Sequence, residues 1–138
     1  MARNIFKGLG VALITPFTSD GSVDFKSLTC LVEHLIDNGA DFLCILATTS
    51  EAPCLSTYEK EEVKKHVIDI NRGRLPILMG CGGNNTKAIV DELKNSDWRG
   101  IDGVLSVCPY YNKPSQEGLY QHFKAIAEAS PLPVVLYN

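Results

Sequence analysis

Five short apolar runs recur along the chain at intervals of about 30 residues, each but the last followed by a segment with helical periodicity. No other feature constrains the fold as strongly. The apolar runs cover residues 10–15, 42–47, 76–80, 103–107 and 133–136, and all five read as strands. Between them, Asp24 caps a predicted helix to residue 38 that turns Phe25, Leu28, Leu31, Val32 and Leu35 to one side, with Gly39 just past its end. Ser56 and Glu59 form a capping box for a helix to about residue 71, with Val63, Val67 and Ile70 inward. Residues 86–96 turn Ile89, Val90 and Leu93 inward, and residues 115–129 turn Leu119, Phe123, Ile126 and Ala127 inward. Strict alternation of strand and helix requires parallel strands joined by right-handed crossovers.

An open doubly wound sheet and a closed eightfold β/α barrel both satisfy that alternation. The first strand-to-helix turn, residues 15–21, has no G-x-G-x-x-G, so a dinucleotide site is unsupported. The Gly80-Cys81-Gly82-Gly83 segment reads as a tight turn rather than an anion cradle. The barrel fits better, but such barrels run to about 250 residues. The expectation is therefore α/β: the N-terminal half of an eightfold barrel, one partial domain over residues 1–138 with no second domain. Two strand edges and an apolar inner face would await completion, by more chain or by another chain.

The net charge of −3 argues against nucleic acid, whose binders carry a basic stripe. No apolar run approaches the roughly 20 residues that span a bilayer, and residues 9–14 lack the flanks of a signal peptide. The reading is soluble and cytoplasmic. Cys30, Cys44, Cys54, Cys81 and Cys108 are odd in number with no C-x-x-C pair, which points to reduced, mostly buried thiols. His34, His66 and His122 lie far apart inside predicted helices, so no metal site is expected. Lys60, Lys64 and Lys65, alternating with Glu59, Glu61 and Glu62, read as a solvated ion-pair face.

In a parallel barrel the reactive groups sit on the loops after the C-terminal ends of the strands. Those ends are Thr15-Pro16, Thr48-Thr49-Ser50-Glu51, Gly82-Gly83-Asn84-Asn85, Tyr110-Tyr111-Asn112 and Tyr137-Asn138. Hydroxyls dominate, with no Ser-His-Asp set, metal cluster or carboxylate pair. Such a rim suits proton shuttling and recognition of a carboxylate or carbonyl. On composition alone the threonines could equally cap backbone, and the tyrosines could serve packing.

Several of these segments together resemble the dihydrodipicolinate synthase family, pyruvate-dependent class I aldolases in the wider group that includes N-acetylneuraminate lyase. They are Ala12-x-x-Thr15-Pro16-Phe17, Ala47-Thr48-Thr49-Ser50-Glu51, Gly80-x-Gly82-x-Asn84, residues 109–118 (PYYNKPSQEG) and Leu136-Tyr137-Asn138. The resemblance runs the length of the chain but covers only the first half of a family member. It implies that pyruvate forms a Schiff base with a lysine, becomes an enamine and attacks aspartate semialdehyde, in lysine and diaminopimelate biosynthesis. It implies that Tyr137 donates and accepts protons at the substrate, that Thr48 and Tyr111 complete a hydroxyl relay, and that Thr49 contacts the pyruvate carboxylate. A phenol titrates near pH 10, so Tyr137 alone would be a sluggish base, and a relay lets one proton leave as another arrives. Tyr111's family counterpart reaches a neighbouring subunit, implying a homo-oligomer, a dimer or tetramer. No cofactor is implied.

The departures from the family pattern carry expectations too. The family's Schiff-base lysine lies on strand six and its carboxylate-binding arginine just after strand five, both beyond Asn138, so this chain alone is expected to be inactive; Lys113 is expected on an exposed loop. Ala47 and Ser50 replace two family glycines and would be strained, at about 1 kcal/mol or more, if positive φ were required. Asn84 and Tyr110 match the family's lysine-feedback site, whereas Pro53, Thr57, Lys60 and Ala88 do not, so inhibition by lysine is expected to be weak or absent. Two other readings stand beside this one: a sibling aldolase acting on sialic acid or a keto-sugar acid, and a non-catalytic half-barrel that assembles with another chain. Thr48-Thr49 speaks against the sialic-acid branch, which typically has Ser-Thr there.

Overall fold

The computed structural model describes residues 5–138. Its elements run β1 (Gly10–Ala12), α1 (Phe25–Asp37), β2 (Phe42–Ile45), α2 (Thr57–Asn71), β3 (Ile77–Gly80), α3 (Thr86–Asn95), β4 (Gly103–Val107), α4 (Gln116–Ala129) and β5 (Val134–Tyr137). Two 3-10 turns, Thr48–Ser50 and Ala52–Cys54, lie between β2 and α2. The five strands form one parallel sheet in sequence order, so β1 and β5 each have a single neighbour. This is half of an eightfold β/α barrel, as the alternation predicts.

Local chemistry starts each helix where the sequence says it should. The Asp24 carboxylate accepts from the Ser27 N–H at 3.0 Å, and Ser56 and Glu59 form the reciprocal capping box. The helices then cover one face of the sheet. Leu43 and Ile45 of β2 and Ile77 of β3 pack against Leu28 and Val32 of α1 and Val63 and Val67 of α2. A second cluster joins Cys81, Ile89, Leu93, Val104 and Ile126. Burying each such aliphatic side chain stabilises the fold by roughly 1.5–3 kcal/mol.

The register sets what faces the other way. Alternation along the strands turns Phe42, Cys44, Leu78, Leu105, Val107 and Tyr137 to the inner face. That face is not simply open, because Phe6 meets Phe42 edge-on at its lower end, where Gly10 and Gly103 leave room for the rings. On the outer flank Leu136 of β5 is exposed, as are Leu9 and Ile14 beside β1.

Several expectations need correction. β1 ends at Ala12 and β2 at Ile45, both shorter than predicted, because Leu46 takes a φ of 52° and breaks the ladder. Lys64 is not solvated: it is 4% exposed, with its ammonium 2.8 Å from Glu61 and 3.0 Å from the Asp97 carbonyl. Ala127 is exposed, and His122 of α4 is buried instead. Of the five thiols only Cys44 and Cys81 are buried; Cys108 is half-buried, and Cys30 and Cys54 are exposed. The glycines after β3 have no positive φ; a side chain at Gly82 would collide with the Val107 backbone, so close approach rather than tight turning explains it.

Candidate active site at the strand ends

Thr48 reaches the rim through a compact turn. Leu46 ends β2 with its left-handed φ, residues 48–50 wind one 3-10 turn, and Glu51 reverses the chain with a φ of 54°. Ala47, with a φ of −92°, and Ser50, inside the 3-10 turn, avoid the left-handed region. The two glycine replacements therefore introduce no backbone strain. Gly80 on β3 makes the turn possible, because a Cβ there would overlap the Leu46 carbonyl.

The tyrosine loop is tighter still. Asn112 N–H donates to the Tyr110 carbonyl at 2.8 Å across Tyr111, whose φ is 70°. A three-residue turn with that φ is a strained conformation, and such strain concentrates at functional sites. The side chain of Asn84 donates to the Tyr110 carbonyl at 3.2 Å, and that of Asn112 donates to the Asn84 carbonyl at 2.9 Å. Tyr111 is left 92% exposed. Cys108 N–H donates to the Tyr137 carbonyl at 3.0 Å and its thiol to Asn138 Oδ1 at 3.4 Å, fixing the end of β5 against β4.

These segments border an open cavity of about 780 Å³, lined in part by Thr48, Leu105, Cys108, Tyr110, Tyr137 and Lys60. It extends from the inner face at the rim into the gap between α2 and α3, past Glu61 and Glu92. The structure thus brings Thr48, Tyr110 and Tyr137 to one space. It does not bring Thr49, Tyr111 or Asn84 there. Lys113 lies on the exposed loop, as expected.

Burial raises the thiol pKa of Cys44 to about 11 and that of Cys81 to about 12, so both stay protonated and unreactive at neutral pH. Burial lowers the pKa of His122. Its Nδ1 lies 2.8 Å from Thr86 Oγ1, while its Nε2 and the hydroxyl of Ser106, both buried, have no hydrogen-bond partner among the described residues. Among the described residues no group of three or more His, Cys, Asp or Glu side chains could hold a metal ion, and no helix is long and apolar enough to cross a membrane.

Sequence reasoning missed Lys60 and Ser50. The signal for Lys60 was its spacing three residues before Val63 and seven before Val67, on the buried stripe of α2. Ser50 was marked only as a replaced glycine, and its bonding was not legible because its partners lie 35 to 37 residues away.

The family model described as the dihydrodipicolinate synthetase family matches residues 5–138. The chain belongs to this family. A 4-hydroxy-tetrahydrodipicolinate synthase of Phocaeicola vulgatus is 56% identical over 138 residues, which is all of this chain and 46% of that protein. One of Bacillus subtilis is 48% identical over 133 residues, 96% of this chain and 46% of that protein. Among solved structures of the dihydrodipicolinate synthase family, the Bacillus anthracis enzyme superposes with a TM-score of 0.90 at 49% identity, covering 96% of this chain and 46% of that one. The Acinetobacter baumannii enzyme, solved in complex with pyruvate, gives 0.90 at 48% identity, covering 95% and 45%. The chain thus spans about half the length of the family members it matches.

Proposed function

We propose that the complete protein carrying this chain is a 4-hydroxy-tetrahydrodipicolinate synthase, condensing pyruvate with aspartate semialdehyde in the cytoplasm for lysine and diaminopimelate biosynthesis. The observation that carries the reading is the meeting of Thr48 and Tyr137, from the ends of β2 and β5, at one cavity in a chain of this family.

In this reading a lysine beyond residue 138 attacks the pyruvate carbonyl, and water leaves to give an iminium. Loss of a C3 proton gives the enamine, whose C3 forms the new carbon–carbon bond to the aldehyde carbon while the aldehyde oxygen takes a proton. Nothing is oxidised. Tyr137 moves these protons and Thr48 relays them onward, and the carboxylate is assigned to Thr49, which follows Thr48 in the same turn but is not on the cavity wall of this half. The exposure of Tyr111, and its absence from the wall of its own cavity, support its service in a second subunit's site, and hence a homodimer or a tetramer built from such dimers. Among the described residues Lys60 is the one lysine on the cavity wall, and it sits on a helix rather than at a strand end, which supports an outside origin for the amine.

Asn84 and Tyr110 form the proposed lysine-feedback site. Asn84 already spends its amide on the Tyr110 carbonyl, and Lys60 puts a cation on the adjoining cavity wall. Both favour weak inhibition or none.

The test is intact mass after pyruvate and borohydride, which traps the iminium. The complete protein is expected to gain one pyruvyl adduct and a polypeptide of residues 1–138 none; an adduct on the latter would sink the assignment of the amine. Turnover with aspartate semialdehyde, and none with N-acetylmannosamine, would separate this reading from a sialic-acid lyase.

A further inference from the structure

We propose that Ser50 is a positioning residue for Thr48, acting through a reciprocal clasp with the segment that follows β1. This rests on the function proposed above. Ser50 is 2% exposed, and its hydroxyl donates to the Leu13 carbonyl at 2.6 Å. In return the Ser50 carbonyl accepts from the hydroxyl of Thr15 at 2.8 Å, and Thr15 is itself 4% exposed.

The clasp sits where the backbone offers nothing else. The β1–β2 ladder pairs only Gly10, Val11 and Ala12 with Phe42, Leu43 and Cys44, and one further bond, Leu13 N–H to the Cys44 carbonyl, ends it. Beyond that point residues 13–15 and the 3-10 turn have no shared sheet pairing. The turn also lies between two left-handed residues, Leu46 and Glu51, each in a conformation that non-glycine residues adopt at a cost. Held at both ends of a strained arc, Thr48 keeps its place on the cavity wall only while the arc cannot relax.

Two buried hydroxyls bonded to main-chain carbonyls supply that restraint. Neither Oγ points to a reacting group, so neither is catalytic. Removing either hydroxyl leaves a buried carbonyl short of its donor, which is costly without water to replace it. The family pattern carries a glycine where Ser50 stands, so the hydroxyl is a device of this chain rather than of the pattern.

The experiment uses the complete protein with Ser50→Ala, Thr15→Val, both together, and Val67→Ala as a control for lost stability far from the rim. Four quantities are read: kcat, KM for pyruvate, the exchange of pyruvate C3 protons with deuterium, and Tm. We expect Ser50→Ala and Thr15→Val each to lower kcat and C3 exchange about ten- to a hundredfold, as misplacement of a proton-relay group does. KM for pyruvate should rise by less than kcat falls, since Thr49 shares the turn but moves no proton, and the double variant should be no worse than the poorer single one. Val67→Ala should lower Tm and leave kcat alone. If Ser50→Ala does not fold, Thr15→Val carries the test. The proposal is overturned if the folded variants keep at least half of the parent kcat, or if Val67→Ala loses kcat in proportion to Tm as they do. A parent protein that neither exchanges C3 protons nor traps pyruvate would instead overturn the proposed function, and is seen before any variant is made.

Discussion

The side-chain amide of Asn112 donates to the main-chain carbonyl of Asn84 at 2.9 Å, tying the tyrosine loop to the loop ahead of α3. The tie closes over the strained turn at Tyr111. Asn112→Ala should release it, at about 0.5–1.5 kcal/mol in stability. Turnover in the complete protein should fall at least tenfold, because Tyr111 would lose its direction. Steady-state kinetics beside thermal melts would check both, and unchanged turnover would remove Tyr111 from the proposed relay.

Tyr137→Phe keeps the ring on the cavity wall and deletes only the oxygen. In the complete protein, kcat and C3 exchange should drop by about 10²–10⁴-fold. Iminium trapping should survive, since the phenol is asked to move protons and not to bind pyruvate. Loss of trapping together with turnover would reassign Tyr137 to binding.

His122 predicts a pH dependence of stability. Burial holds its pKa below the ordinary imidazole value of 6.5, so the folded state resists a proton that the unfolded chain accepts. The neutral ring's contribution is complete above that value and is lost as pH falls through it toward the lower folded pKa. Melting curves between about pH 7.5 and 5 should show Tm declining, and His122→Gln should flatten the decline. A parallel decline in the variant would assign it to other groups.

Lys64 offers a sharper test of the core. Its ammonium is buried, but its partner Glu61 keeps 41% of its side chain in contact with solvent and would not be stranded by the loss. Lys64→Met preserves the apolar stem, so the change in unfolding free energy should stay within about 1 kcal/mol. Chemical denaturation measures it directly, and a loss of about 3 kcal/mol or more would mean that the bond to the Asp97 carbonyl dominates.

The course of the chain was legible because periodicity and caps are local. Asp24, Ser56 and the stripes through Val32, Val63 and Ile126 act within a turn or two of themselves, and each helix formed where they pointed. The rim was legible in part. Thr48 and Tyr137 border one cavity because parallel pairing aligns strand ends, which follows from the alternation alone. The ends of β1 and β2 were not, because a left-handed leucine carries no sequence mark. Ala127 faces solvent against expectation while His122 is buried, because the apolar stripe does not record which polar side chain finds Thr86. Ser50 and Lys64 stayed hidden for the same reason: their partners, Leu13 and Asp97, are dozens of residues away.

The overlap awaiting any Cβ at position 80 has a historical consequence. Leu46 can point its carbonyl across β3 only while residue 80 has no side chain. A lineage carrying this turn is therefore closed to change at position 80, whatever side chains stand at 46 and 47, because the overlap is with main chain that every residue carries. An alanine at 80 would be accepted only after the backbone at residues 46 and 47 had found another route to Thr48, so the glycine should outlast every side-chain change in the turn it accommodates.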